Sequence, residues 1–293
     1  MRQDQDHQKN LLLAIVLSVG VLLAWQVFYA GPKLKEEQER RQRAQQEQVV
    51  QGKTPDGTAV APVGPGPQVG VPAPVAAAHN REAALRASAR VPIETPSLKG
   101  SISLQGGRID DLVLLRYHET VQPSSPNVVL FSPSGAPEPY YAEYGWLAGA
   151  GVGQPTPTSE TLWRVEKGGT LTPSSPVTLV WENGQGLTFR RTIAADDNYL
   201  ITVTDTVENK AGTEVSLYPY ALISRHGIPH TQGFYILHEG PIGVMGDEGL
   251  KELHYTDLLK EGGSRTFKNA GGWLGITDKY WASALIPDQK VRY

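Results

Sequence analysis

The order of apolar and polar positions divides this chain into an apolar run, a polar stretch and a long region of alternation. From Leu11 to Ala30 the residues read LLLAIVLSVGVLLAWQVFYA, interrupted only by Ser18, Gly20 and Gln26 and free of charge. About 20 residues rising 1.5 Å each give a helix roughly 30 Å long, the thickness of a bilayer's hydrocarbon core. Trp25, Phe28 and Tyr29 sit at its far end, where aromatic rings settle at headgroups, and Gly31-Pro32 stops it. The run is longer than the core of a signal peptide, and Phe28-Tyr29-Ala30 puts a large residue where cleavage favours a small one. Residues 11–30 are therefore expected to remain as a transmembrane anchor.

The next stretch, Lys33 to Gln48, is polar on every face and rich in helix formers. It lacks the stripe a coiled coil needs, so it reads as a solvated extension of the anchor. Val49 to Ala78 turns to Pro, Gly, Val, Ala and Gln with no aromatic residue. Such a composition buries too little surface to offset ordering entropy, and its proline keeps it extended, so it is expected to be a disordered spacer.

From Val91 the period becomes two. Strands are expected over Ser101–Gln105, Ile109–Tyr117, Asn127–Phe131, Leu162–Glu166, Val177–Glu182, Leu187–Ile193, Tyr199–Val207 and Glu214–Ile223. Val180 to Phe189 reads as a hairpin, with Asn183-Gly184 suited to positive φ in its turn. Only Asp247–Leu259 offers room for a short helix. Strands at this spacing without intervening helices predict a mainly β fold, an antiparallel sandwich or barrel. Trp281 to Pro287 looks like a further strand entering a core just before the last residue, Tyr293. A sandwich ending there would leave an edge unpaired, so the domain is expected to be incomplete at its C-terminal end.

Composition narrows the function. A formal charge of −3 and charges scattered from Lys251 to Lys268 argue against nucleic acid. With no cysteine there is neither a disulfide framework nor a thiolate metal site. His226 and His230 are four apart, but Gly227 and Pro229 between them break the helix that such spacing would need, so loop histidines are expected there rather than a metal site. Asp110-Asp111 would point to opposite faces of a strand unless a bulge intervenes, and Asp196-Asp197-Asn198 reads as a turn. No nucleotide-binding, nucleophile-elbow or zinc motif appears in the folded region, and no catalytic, cofactor-binding or metal site is expected.

Several stretches resemble one family. Gly271-Gly272-Trp273-Leu274-Gly275-Ile276-Thr277-Asp278-Lys279-Tyr280-Trp281, then Ala284 to Pro287, is similar to a signature of the periplasmic region of bacterial YidC-type membrane protein insertases. Leu187 to Ile193, Asp197-Asn198-Tyr199, Val207-Glu208-Asn209 and Gly240 to Val244 resemble the same region, and Gln8 to Leu11 leading to Trp25-Gln26 resembles its first helix. Gly272, Trp273, Gly275, Asp278, Tyr280 and Trp281 form a structural signature, with the glycines and indoles expected to fix a tight strand crossing.

The resemblance implies an N-in anchor, and hence a cytoplasmic segment 1–10, a transmembrane helix 11–30, a helix and linker 31–90, and a periplasmic β-supersandwich 91–293. Local charge argues otherwise: Arg2 and Lys9 precede the span, while Lys33, Lys35, Arg40, Arg41 and Arg43 follow it. By the positive-inside rule alone, the C-terminal side would be cytoplasmic, unless charges after later helices set the topology. The resemblance further implies a bacterial inner-membrane insertase and chaperone, not an enzyme, working with the lipid bilayer, nascent integral membrane proteins, and the Sec translocon with its accessory membrane proteins. A membrane-tethered carbohydrate-binding or mutarotase-like module, recruiting His226, His238 and Glu239, and a plain envelope scaffold are the competing readings.

Overall fold

The computed structural model describes residues 80–122, 124–149, 153–228, 238–260, 263–278 and 280–293. The expected anchor, polar helix and spacer lie outside the described residues, as does His230. Among the described residues no helix is long and apolar enough to cross a membrane.

Helix α1 (Arg81–Arg86) precedes the first strand, with the Asn80 side chain accepting from the Ala83 amide at 2.7 Å as its N-cap. The first sheet takes β1 (Arg90–Glu94), β2 (Leu98–Ser103), β3 (Ile109–His118), β5 (Tyr140–Ala148) and β10 (Leu217–Arg225) in that order, with β4 (Asn127–Phe131) beside β3. A second sheet runs β6 (Arg164–Lys167), β7 (Val177–Glu182), β8 (Leu187–Ala195) and β9 (Ile201–Asn209). The third is ordered β12 (Leu250–Glu252), β11 (Gly240–Met245), β13 (Gly272–Thr277) and β14 (Ala282–Leu285). All pairings between these strands are antiparallel, so the mainly antiparallel β architecture expected from the alternation is present.

Alternation explains the second sheet. Along β8 the inward positions Leu187, Phe189, Arg191, Ile193 and Ala195 are buried, and the outward ones are half-exposed. They face Ile93, Ile102, Ile109, Leu112 and Ala142 of the first sheet in one shared core, to which Trp163, Leu171 and Val177 also belong. The β7–β8 hairpin forms with Glu182 opposite Thr188, leaving the five residues Asn183 to Leu187 between that pair. Gly184 in it has φ +71°, and the Asn183 side-chain oxygen accepts from the amides of Gln185 and Leu187. Asp196 holds the next turn in the same way, accepting from the Asn198 and Leu200 amides at 2.8 and 3.0 Å.

Two expectations gain detail in the structure. The span Asp247–Leu259 holds the expected short helix, α2 (Tyr255–Lys260), preceded by a 3₁₀ turn at Gly246–Glu248 and strand β12. Gly249 in the left-handed region, φ +72°, breaks the path from the turn into β12. For Asp110 and Asp111 the bulge that the expectation made an exception is present. The β2–β3 register runs Ser101 to Asp111 and then Ile102 to Ile109, so Asp110 is the extra residue of a bulge. Both carboxylates consequently enter one polar network with Arg90, Ser101 and Arg81.

Candidate functional site

The signature residues gather where the third sheet meets the first. Strand β13 begins at Gly272, whose φ is +97° and whose missing Cβ would stand 2.0 Å from the Val244 carbonyl oxygen. Gly275, buried in the middle of the strand, lies opposite Ile242 on one side and Ala284 on the other. A Cβ there would come within 2.2 Å of the Ser283 carbonyl oxygen. These glycines let β11, β13 and β14 close up, because no side chain fits between the backbones.

Beyond β13 the chain turns sharply. The Asp278 amide donates to the Trp281 carbonyl at 2.8 Å, and the Asp278 carboxylate takes the Arg225 guanidinium from the end of β10. Arg225 in turn lies over the Tyr140 ring, 4.5 Å from its centroid, and the Tyr140 hydroxyl shares a hydrogen bond with Ser283 on β14. Burial pushes the Asp278 carboxyl above its ordinary range, more than Arg225 draws it down, and Glu239 adds to the rise. Burial likewise lifts the Tyr140 phenol to about 12.

This turn delivers Tyr280 and Trp281 to the rim of a cleft of about 640 Å³. Its floor is the inner face of the first sheet, including Leu112, Leu114, Phe131, Ala142 and Tyr144. One wall is Tyr199–Ile201 at the entry to β9, and the other is Tyr280–Ile286. Tyr117 meets the Trp281 ring edge-on at 5.0 Å and lies 6.3 Å from the Tyr199 ring, closing one end with aromatic side chains. No lining residue is charged. Neither signature indole is a buried core residue: Trp273 and Trp281 are both half-buried, and Tyr280 is 74% exposed.

The structure does not assemble the sugar-module candidates. His226 is exposed with its ring 6.3 Å from that of Tyr141, whereas the His238 ring lies 4.9 Å from His254. Among the described residues no three His, Asp or Glu side chains converge as metal ligands would. What sequence reading did not single out is Arg191, fully buried in the sandwich core. Its guanidinium makes paired bonds of 2.8 and 2.7 Å to Asp205 on β9 and a third to the Gly107 carbonyl, between the rings of Tyr144 and Trp163. The signal was present in its parity, since Arg191 occupies an inward position between Phe189 and Ile193.

Residues 90–293 match the family model described as the YidC periplasmic domain. A membrane protein insertase YidC from Methylobacterium radiotolerans is 52% identical over 304 aligned residues, covering 98% of this chain and 48% of that protein. Another from Bradyrhizobium diazoefficiens is 52% identical over 97% of this chain and 47% of its own length. One from Beijerinckia indica is 48% identical over 100% of this chain. The chain thus spans about half the length of the curated relatives it matches.

Proposed function

The chain belongs to the YidC family of membrane protein insertases, and from that membership we propose that it is the N-terminal anchor and periplasmic domain of such an insertase in a bacterial inner membrane. The observation that carries the reading is the 52% identity sustained over 98% of the chain, which includes the apolar run as well as the folded region. On this reading residues 11–30 span the bilayer, residues 31–90 form the tether, and residues 91–293 stand in the periplasm as a β-supersandwich.

The activity is physical rather than covalent. A polar group without partners in hydrocarbon costs several kcal/mol, and an insertase lowers that barrier for nascent integral membrane proteins. The folded domain contributes tethering and a docking surface, either for the Sec translocon and its accessory proteins or for the substrate itself. Its cleft has no charged lining, which suits contact with apolar polypeptide better than recognition of a sugar, whose hydroxyls call for charged or amide partners.

The test is depletion of the protein from cells that make it, followed by protease accessibility of a newly synthesised single-span membrane protein. Insertion should stall within the depletion period. Insertion at an undiminished rate would refute the reading.

A further inference from the structure

His238 stands two residues before β11 and His254 two residues after β12. These strands are antiparallel neighbours, and just beyond their ladder the Leu253 amide donates to the Pro241 carbonyl at 2.9 Å. The His254 carbonyl in turn accepts from the Asp257 and Leu258 amides at 3.0 and 3.2 Å, where α2 begins. Backbone pairing thus brings the two imidazoles together, with ring centres 4.9 Å apart and planes inclined at 51°. The His238 Nε2 faces the Pro241 carbonyl oxygen at 3.3 Å. A carbonyl only accepts, so this nitrogen carries the proton and Nδ1 keeps its lone pair. His254 is exposed, and rotation about χ2 brings either of its nitrogens to face that lone pair.

We propose that His238 and His254 form a two-imidazole site for a late divalent transition metal, Cu2+ or Zn2+, with water completing the coordination shell. A metal–nitrogen bond of about 2.0 Å places each ring centre about 3.2 Å from the ion. Two such rings stand about 4.5 Å apart when the ligand angle is square and about 5.1 Å apart when it is tetrahedral. The observed 4.9 Å falls between these values. The bond from His238 to Pro241 is the support that metal-binding histidines ordinarily receive at their second nitrogen, and it fixes the tautomer that leaves Nδ1 open. Imidazole selects against Ca2+ and Mg2+, which take oxygen ligands. Among the described residues no third His, Asp or Glu completes a cluster, so the site stays open to solvent and binds more weakly than a closed structural site would. An ion held there ties the entry of β11 to the entry of α2. The site is independent of the insertase reading.

The experiment uses the full chain without an affinity tag, in lipid nanodiscs and a non-chelating buffer, titrated with Cu2+ alone. Electron paramagnetic resonance should show the tightest-bound ion coordinated by two nitrogens. His238→Gln and His254→Gln should each weaken that binding about tenfold or more, whereas His118→Gln and His226→Gln should leave it unchanged. His254 is exposed, so its replacement keeps folding out of the comparison. Zn2+ should raise the melting temperature of the wild type and slow hydrogen exchange at residues 240–245 and 254–258, and it should do neither in the His238 and His254 variants. Coordination by a single nitrogen would overturn the paired site, leaving only a contact between rings. So would wild-type affinity in either variant, which would assign the ion to other histidines of the chain.

Discussion

The Asp278 carboxylate lies 3.0 Å from the Arg225 guanidinium, and this pair ties the turn after β13 to the end of β10. Both side chains are largely withdrawn from water, so the pair is worth more as a constraint than as a source of stability. With the Tyr140–Ser283 hydrogen bond it fixes where β14, and hence the cleft wall, stands over the first sheet.

The pair gives stability a pH signature. Because burial raises the folded-state pKa of Asp278 above its ordinary 3.8, the folded protein holds that proton to higher pH than the unfolded chain. Stability from this group is complete below pH 3.8 and declines as pH rises through the folded pKa. Asp278→Asn cannot titrate, so it should gain on the wild type as pH rises from 3.8 towards neutrality. Parallel urea midpoints across that range would contradict the assignment. Arg225→Ala strands the carboxylate and should cost about 3 kcal/mol at neutral pH.

Trp163 and Trp281 should differ in what they support. Trp163 is 2% exposed within the core, so Trp163→Ala should cost about 3–5 kcal/mol. Trp281 is half-buried on the cleft rim, and Trp281→Ala should cost about 1–2 kcal/mol. Urea denaturation of both variants decides; equal losses would mean that Trp281 is part of the core in solution.

Gly272 and Gly275 fail for different reasons. Gly272→Ala combines a strained φ with a backbone clash, while Gly275→Ala meets only the clash against β14. Each should cost about 2 kcal/mol or more. Hydrogen exchange should show the Gly275 variant loosening β14 before β11. Protection lost equally across the third sheet would argue against that local origin.

Arg191 is the most completely buried charged side chain among the described residues. Replacing it with Ala leaves Asp205 facing the core, and removing one member of such a pair costs about 3–5 kcal/mol. Arg191→Met with Asp205→Leu should restore much of the loss, because the apolar pair fills the space without a charge to desolvate. A double variant no better than Arg191→Ala in thermal melting would show that the bond to the Gly107 carbonyl matters more than the ion pair.

A reporter active only in the periplasm, fused after Ile223, should be on, and the mature N-terminus should precede Leu11. Activity of a cytoplasm-only reporter at Ile223 would side with the Lys and Arg count flanking the apolar run.

The regular strands were legible where one face is buried and the other wet. Strands β4 and β7 begin and end where alternation places them, β8 runs two residues further at its end, and β9 is shifted by two residues at both ends. Strand β5 escaped because Tyr140, Tyr141, Ala142 and Glu143 are all buried, so the period of two vanishes. Strand β13 carries glycine where a side chain would otherwise mark its faces. Bulge and cleft were beyond reach for another reason. The bulge at Asp110 depends on the register with β2, and the cleft depends on β3, the β9 entry and β14 meeting across more than 150 positions of chain.

Helix α1 bears on how a pull from the N-terminal side reaches the sheets. Six residues long, it is joined to the first sheet through the ion pair of Arg81 with Asp111 and the burial of Ala84. A pull applied from the N-terminal side loads this helix before any strand. Unwinding six residues from about 1.5 to about 3.5 Å each releases roughly 12 Å of slack. The domain therefore has a fuse at its entrance, which yields length under tension while the sheets keep their register.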